Sequence, residues 1–477
     1  MKILFLLYGD FTTNTAGPLV LFTRELAQLG HECVIAVPHN VESAQTHDCS
    51  SFLPILYDEV LQKNGAIFSG DQRADVIHAC TPRIFIFNFL QVYLSQWPSP
   101  LVIYLEDNES WIVKSFLGVD NLALLSLSDM ELGSRVPPSL SHPFEYPFFV
   151  ALADLVILIQ EKLKFEVPEF IPTRVIPWGV NQSVFSPSIS PSAKWREFCS
   201  IKTHEKVLVY HGGLNGFNRG AMLDLCLAIE LINDAGVECK LIRTGPNAIN
   251  FWDKLGPNAR DYILELGVVP KQELPSILAL ADVFVQPGRI DEFEDLRLPS
   301  KLPEFLSMGK PVILPDVNIA ELFCNNENAI ILSTGDPREI ANACLSIFGD
   351  HPKSIKLAKG AREFAQKEFN ILQQAIKLEA AYQDAIRIFN LDRTRALWKS
   401  VQDNGVVDAA LMRANFSITD FGINSASLTR QLIKWCQILE ARQRVRSKTS
   451  EFNRNESSNP RRSFFESIRD FINKLKS

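Results

Sequence analysis

The 477-residue chain carries 48 Lys and Arg against 55 Asp and Glu, a net charge of −7, and 46% of its residues are hydrophobic. That length and apolar content suit two or three packed domains, and the acidic balance excludes general nucleic-acid binding. Nine cysteines run from Cys33 to Cys436 without a CxxC pair, which fits buried thiols in a reducing compartment better than a disulfide or zinc framework.

Met1 to Gly9 superficially resembles a signal peptide, but its apolar run is short and is broken at Tyr8-Gly-Asp10, so the reading is a first parallel strand over Ile3–Leu7. Further strands are expected at Cys33–Val37, Val76–Ala79, Leu101–Leu105, Leu155–Ile159 and Arg174–Pro177. Beyond Leu105 come the carboxylates Glu106, Asp107 and Glu109. They either cap the following helix or, for Glu106 or Asp107, point a carboxylate at a substrate hydroxyl. His78 reads as satisfying a hydrogen bond at a strand end. No window holds the roughly 20 apolar residues needed to span a bilayer.

The Pro- and Ser-rich stretch Ser186 to Ser192 marks a linker, assigned to 186–200 between an N-terminal domain of 1–185 and a second of 201–370. In the second, strands are expected at Val207–Tyr210, Lys240–Arg243, Val283–Gln286, Val312–Leu314 and Ala329–Leu332. Strands alternating with helical patterns through both halves predict two doubly wound parallel sheets. After Tyr210, the glycines Gly212, Gly213, Gly216 and Gly220 permit close backbone approach, and Arg219 opens a helix: an anion-binding pattern, though a weak signal alone. His211 takes the same reading as His78. The acidic run Asp291 to Asp295 is expected to be a solvated loop, not a magnesium site.

Ser300 is placed as the cap of a short helix carrying Lys301, Pro303 and Glu304 in its first turn and ended by Gly309, before a buried strand. Lys301 and Arg297 offer cations to a diphosphate, and the Glu304 carboxylate offers two acceptors to a ribose diol. Taken alone, the segment also reads as a solvated helical face.

Five blocks in order resemble the family-4 retaining glycosyltransferases: Ala16-Gly17-Pro18 with Leu26 to Glu32; Asp75 to His78; Ala153 to Val156 with Val175 to Val180 and Phe185 to Pro187; Gly212 to Gly220; and Gly267 through Asp282 to Pro315. The resemblance implies the GT-B fold, two Rossmann-like domains facing a cleft, with the donor mainly on the second and the acceptor mainly on the first. It implies transfer of a sugar from a nucleoside-diphosphate sugar to a hydroxyl of a glycan or lipid-linked acceptor, with retention, with no metal or cofactor required. Arg219, Lys301 and Glu106 take the catalytic roles; Gly17, Gly212, Gly213, Arg297 and Glu304 bind substrate. The donor phosphate itself would take the acceptor proton, leaving the protein to orient two substrates and stabilise the departing diphosphate. The chain departs from the pattern at Leu296, where relatives have the first of two paired glutamates, and at Gly213, where many have an arginine for which Arg297 or Arg243 would compensate. A GT-B epimerase and a weakened glycosyltransferase-like scaffold are the alternative readings.

Helices at 371–400 are expected to return toward the first domain, leaving a helical or flexible tail at 401–477. From Arg430 onward there are twelve Lys and Arg against five Asp and Glu. Arg442 to Arg462 reads as a flexible basic tether. Within 463–477, Ser463 and Glu466 form a capping-box pattern, and Phe464, Phe465, Ile468, Phe471, Ile472 and Leu475 share one helical face. That face suits an anionic membrane, the body of the protein or a partner. The expected location is the cytoplasm, with membrane association through this segment.

Overall fold

The computed structural model of the chain describes residues 1–246 and 252–421, without 215 and 217, together with 434, 435 and 437–442. The amphipathic segment expected at 463–477 and most of the basic tether lie outside the described residues. The chain divides into two compact units, one of residues 1–176 with 375–477 and one of 177–374.

In the first unit the strands are β1 (Lys2–Leu6), β2 (Glu32–Val37), β3 (Leu53–Leu56), β4 (Val76–Cys80), β5 (Leu101–Leu105), β6 (Leu155–Leu158) and β7 (Thr173–Val175). All pair in parallel, in the order β3-β2-β1-β4-β5-β6-β7. β4, β5 and β6 are buried along their whole length, as continuous apolar runs should be when helices cover both faces. The strand absent from the sequence reading, β3, is a four-residue edge strand containing Pro54 with one buried residue. So short an edge segment has no buried run to betray it.

The second unit holds β8 (Lys206–His211), β9 (Cys239–Thr244), β10 (Ile263–Glu265), β11 (Phe284–Val285), β12 (Val312–Pro315) and β13 (Ile330–Leu332). They form two parallel ribbons, β10-β9-β8 and β11-β12-β13, joined by a parallel bridge between Leu208 and Val283. Again a short edge strand, β10, was not foreseen. In each unit the strand order reverses beside its first strand, between β1 and β4 and between β8 and β11. That crevice at the carboxyl ends of the strands is where doubly wound sheets take ligands.

One expectation about the connections is corrected. The stretch 186–200 lies inside the second unit, and it contains the helix Ala193–Phe198, capped by Ser192. The expected helical C-terminal region is found. Leu391–Asn404 and Val406–Phe421 pack on the first unit, where Arg393 lies 3.1 Å and Arg413 3.7 Å from the buried Asp154 carboxylate. Trp398 is buried against Phe87 and Phe149.

An inserted group of helices between β5 and β6 carries its own small core of Val113, Leu124, Leu127, Leu132, Val136 and Phe144. Arg442, expected to begin a flexible tether, is instead buried there. It is bound to Asp129 at 2.7 Å and to the Leu127 carbonyl, with its guanidinium over the Phe144 ring. A guanidinium that stacks as well as donates loses its solvation without losing partners.

Candidate functional site

In the second unit the expected donor residues gather at the carboxyl end of β8. Gly212 has φ +119°, and the Lys301 side chain lies over it: a Cβ on Gly212 would sit 3.0 Å from the lysine Cε. The Lys301 ammonium also stands 4.9 Å from the centre of the Tyr210 ring. Gly245, at φ +106°, brings the end of β9 so close that a Cβ on it would come within 2.6 Å of the Gly212 carbonyl carbon. The glycines therefore permit a backbone approach that no side chain would allow. Gly213 is packed on Pro246, and its carbonyl accepts a hydrogen bond from Asn218. Arg219 is the first residue of the helix Arg219–Asp234, as expected, and Asn218 makes no side-chain cap to its N–H groups.

The helix bearing Glu304 runs over Leu302–Ser307, and its N-cap position is Lys301 without a side-chain cap bond. The expected Ser300 cap is therefore corrected: the helix begins later, and Lys301 precedes it with helical dihedrals. Gly309, at φ +61°, ends the segment as expected. The Glu304 carboxylate lies 2.6 Å from His211 Nε2, so the carboxylate expected to hold a ribose packs against the His211 ring. The sequence reading missed this pairing because the two residues sit on elements nearly a hundred positions apart.

The acidic run is not a solvated loop. Asp291 caps the short helix Glu292–Asp295, Asp295 accepts the Asn318 N–H, and Glu294 is buried. Glu294 accepts a hydrogen bond from Arg297 Nε at 2.9 Å, and Arg297 also stacks over Phe293. Burial holds the Glu294 carboxyl above its usual range, with Arg297 and Lys301 opposing. Leu296, at the departure from the paired-glutamate pattern, is buried. Of the two arginines expected to compensate for Gly213, Arg243 is buried in β9 and tied to Glu265 at 3.0 Å. Arg297 is the more exposed but is pinned by Glu294.

In the first unit Gly17 is the second residue of the helix Ala16–Gln28, with open space where its Cβ would be. Thr15, which precedes that helix, gives its hydroxyl not to a helical N–H but to Glu106 Oε2, at 2.6 Å. Of the two roles left open for the carboxylates after β5, capping is taken by neither Glu106 nor Asp107: Asn108 accepts the Trp111 N–H. Glu106 is 8% exposed and its Oε1 is buried without a hydrogen-bond partner. Burial pushes its carboxyl up to about 8, against the Thr15 bond and Arg83 and with Asp107 and Glu109 adding to the rise. Glu109 is spent on Arg83 and Ser141, and Arg83 stacks 3.8 Å over the Tyr8 ring. His78 behaves as expected: its Nδ1 meets the Tyr382 hydroxyl at 2.8 Å, and burial lowers its pKa to about 3.

A pocket of about 290 Å³ beside β10, between Phe198, Trp252, Arg260 and Leu266, contains none of the expected residues. Among the described residues no group of three or more His, Cys, Asp or Glu is arranged to hold a metal ion, and no helix is long and apolar enough to cross a membrane.

Residues 205–350 match the family described as glycosyl transferases group 1. No curated protein matches the chain in sequence. Among solved structures, HepE (Alr3699) from Anabaena, in complex with UDP and glucose, is similar with a TM-score of 0.60 at 16% identity, covering 80% of this chain and 99% of that one. Sucrose-phosphate synthase (tll1590) from Thermosynechococcus elongatus gives 0.58 at 15%, covering 82% and 100%. A glycosyltransferase from Rickettsia africae gives 0.56 at 13%, covering 81% and 98%. The expected fold class, GT-B with two parallel-sheet α/β units and a helical C-terminal region, is the one found.

Proposed function

We propose that the chain is a glycosyltransferase that moves a sugar from a nucleoside-diphosphate sugar to a hydroxyl acceptor with retention of configuration. The observation that carries this reading is the clustering of Gly212, Lys301, His211 and Glu304 at the end of β8, inside the segment that matches the glycosyl transferase family. Lys301 and Arg219 supply charge for the diphosphate as it departs, and Glu304, packed against His211, accepts from the ribose. Neighbouring structures with bound UDP or UDP-glucose make the uridine nucleotides the first donors to test. On the first unit, Glu106 has a carboxyl oxygen to offer an acceptor hydroxyl or the transferred sugar. No protein nucleophile is needed if the donor phosphate takes the acceptor proton on the same face of the sugar, and no metal is required by that chemistry. A glycan or lipid-linked acceptor, and a cytoplasmic enzyme touching a membrane through 463–477, belong to the same proposal.

Calorimetry of the full chain against UDP, GDP, ADP, dTDP and CMP, repeated with Glu304→Ala, tests the reading. One nucleoside diphosphate should bind, with its affinity falling at least about tenfold in the variant. Failure of every nucleotide to bind would move the reading to a glycosyltransferase-like scaffold.

A further inference from the structure

The proposed donor site lacks a cation where Gly213 stands: Arg243 is buried in a pair with Glu265, and Arg297, bonded to Glu294, is stacked on Phe293 with its side chain only 20% exposed. The strand order brings a different residue there. β8 and β11 are neighbours through the Leu208–Val283 bridge, so the loop that follows β11 opens beside the glycine-rich loop that follows β8, at the point where the strand order reverses. That loop carries Arg289.

Its side chain is placed by two contacts. Arg289 Nε donates to Asp224 Oδ2 at 2.8 Å, and Asp224, in the second turn of the helix Arg219–Asp234, is 8% exposed. A Cβ on Gly220 would lie 3.3 Å from the guanidinium carbon and 3.5 Å from each Nη. The guanidinium thus lies flat over the first turn of that helix, next to Arg219, in space that only glycine leaves open. Nε is occupied, while among the described residues the two Nη groups have no partner, and the side chain remains 57% exposed. A guanidinium held through Nε with both Nη groups outward has the fork geometry that binds two oxygens of a phosphate.

We propose that Arg289, oriented by Asp224, binds the diphosphate of the donor as a second guanidinium beside Arg219. The proposal rests on the reading of the second unit as a nucleotide-sugar site. In this arrangement Asp224 is a positioning residue: it holds Nε and fixes the plane of the fork.

The test compares UDP, by calorimetry, with uridine, by ligand-observed NMR, on the full chain and on Arg289→Ala, Arg289→Lys, Asp224→Asn and Glu304→Ala. Arg289→Ala should weaken UDP by about tenfold or more and leave uridine unchanged, because only the diphosphate is released. Arg289→Lys should recover part of the loss, since a point charge replaces a fork. Asp224→Asn should weaken UDP less than Arg289→Ala, and combining the two should add nothing, a coupling that a merely structural carboxylate would not show. UDP binding that survives Arg289→Ala but is lost in Glu304→Ala overturns this inference and leaves the donor site standing. A wild-type chain that binds no nucleoside diphosphate overturns both.

Discussion

Replacing Glu106 by Gln keeps the size of the side chain and its acceptor for the Thr15 hydroxyl but removes a titration from the interior of the first unit. In the folded chain burial raises the Glu106 carboxyl to about 8, whereas in the unfolded chain it returns to about 4.3. A raised folded pKa means that the native state binds the extra proton between those limits. The stability this contributes is whole below the unfolded value and is lost as pH rises toward 8. The loss across the window is on the order of 4 kcal/mol for the wild type and absent in the variant. At roughly 2 °C per kcal/mol for a unit of this size, the Tm of Glu106→Gln minus that of the wild type should widen by about 8 °C between pH 5 and pH 8. Any fixed cost of the buried amide shifts both ends equally and cancels. Thermal unfolding followed by circular dichroism at half-unit pH steps measures it. Parallel Tm profiles for the two proteins would refute the claim that burial holds the carboxyl neutral in this range.

Three further outcomes are expected. Arg219→Ala should lower transfer by roughly a hundredfold or more with an unchanged melting curve, because charge at the departing diphosphate is removed; near-wild-type turnover would remove Arg219 from the site. Asp154→Ala leaves the buried guanidiniums of Arg393 and Arg413 without their carboxylate and should cost roughly 3–5 kcal/mol, read as a lowered Tm and faster proteolysis within residues 391–421; unchanged proteolysis would mean the clamp is dispensable. Gly245→Ala forces an alanine to φ +106° against the Gly212 backbone and should destabilise the second unit by roughly 2 kcal/mol while weakening nucleotide binding; a variant that binds normally would show that the β8 and β9 ends need not stay closed.

The sequence alone located eleven of the thirteen strands, ten of them with buried residues and β7 without any; for the ten, a parallel strand covered on both faces is a local, continuous signal. It also located the glycines after β8, Arg219, Lys301 and Glu304, because turn and helix-terminus chemistry is written in neighbouring residues. The edge strands β3 and β10 escaped because three or four half-exposed residues carry no such signal. The acidic run at 291–295 departs from its sequence reading for a related reason: Glu294 is buried by packing and by Arg297. What fastens the helices after Leu391 is equally non-local, Asp154 lying more than two hundred residues away. Only the tertiary structure decided which charges meet. His211 with Glu304, Thr15 with Glu106 and Arg289 with Asp224 each join residues that the sheet order brings to one edge of a unit, and sheet order is a property of long-range packing that no stretch of sequence states.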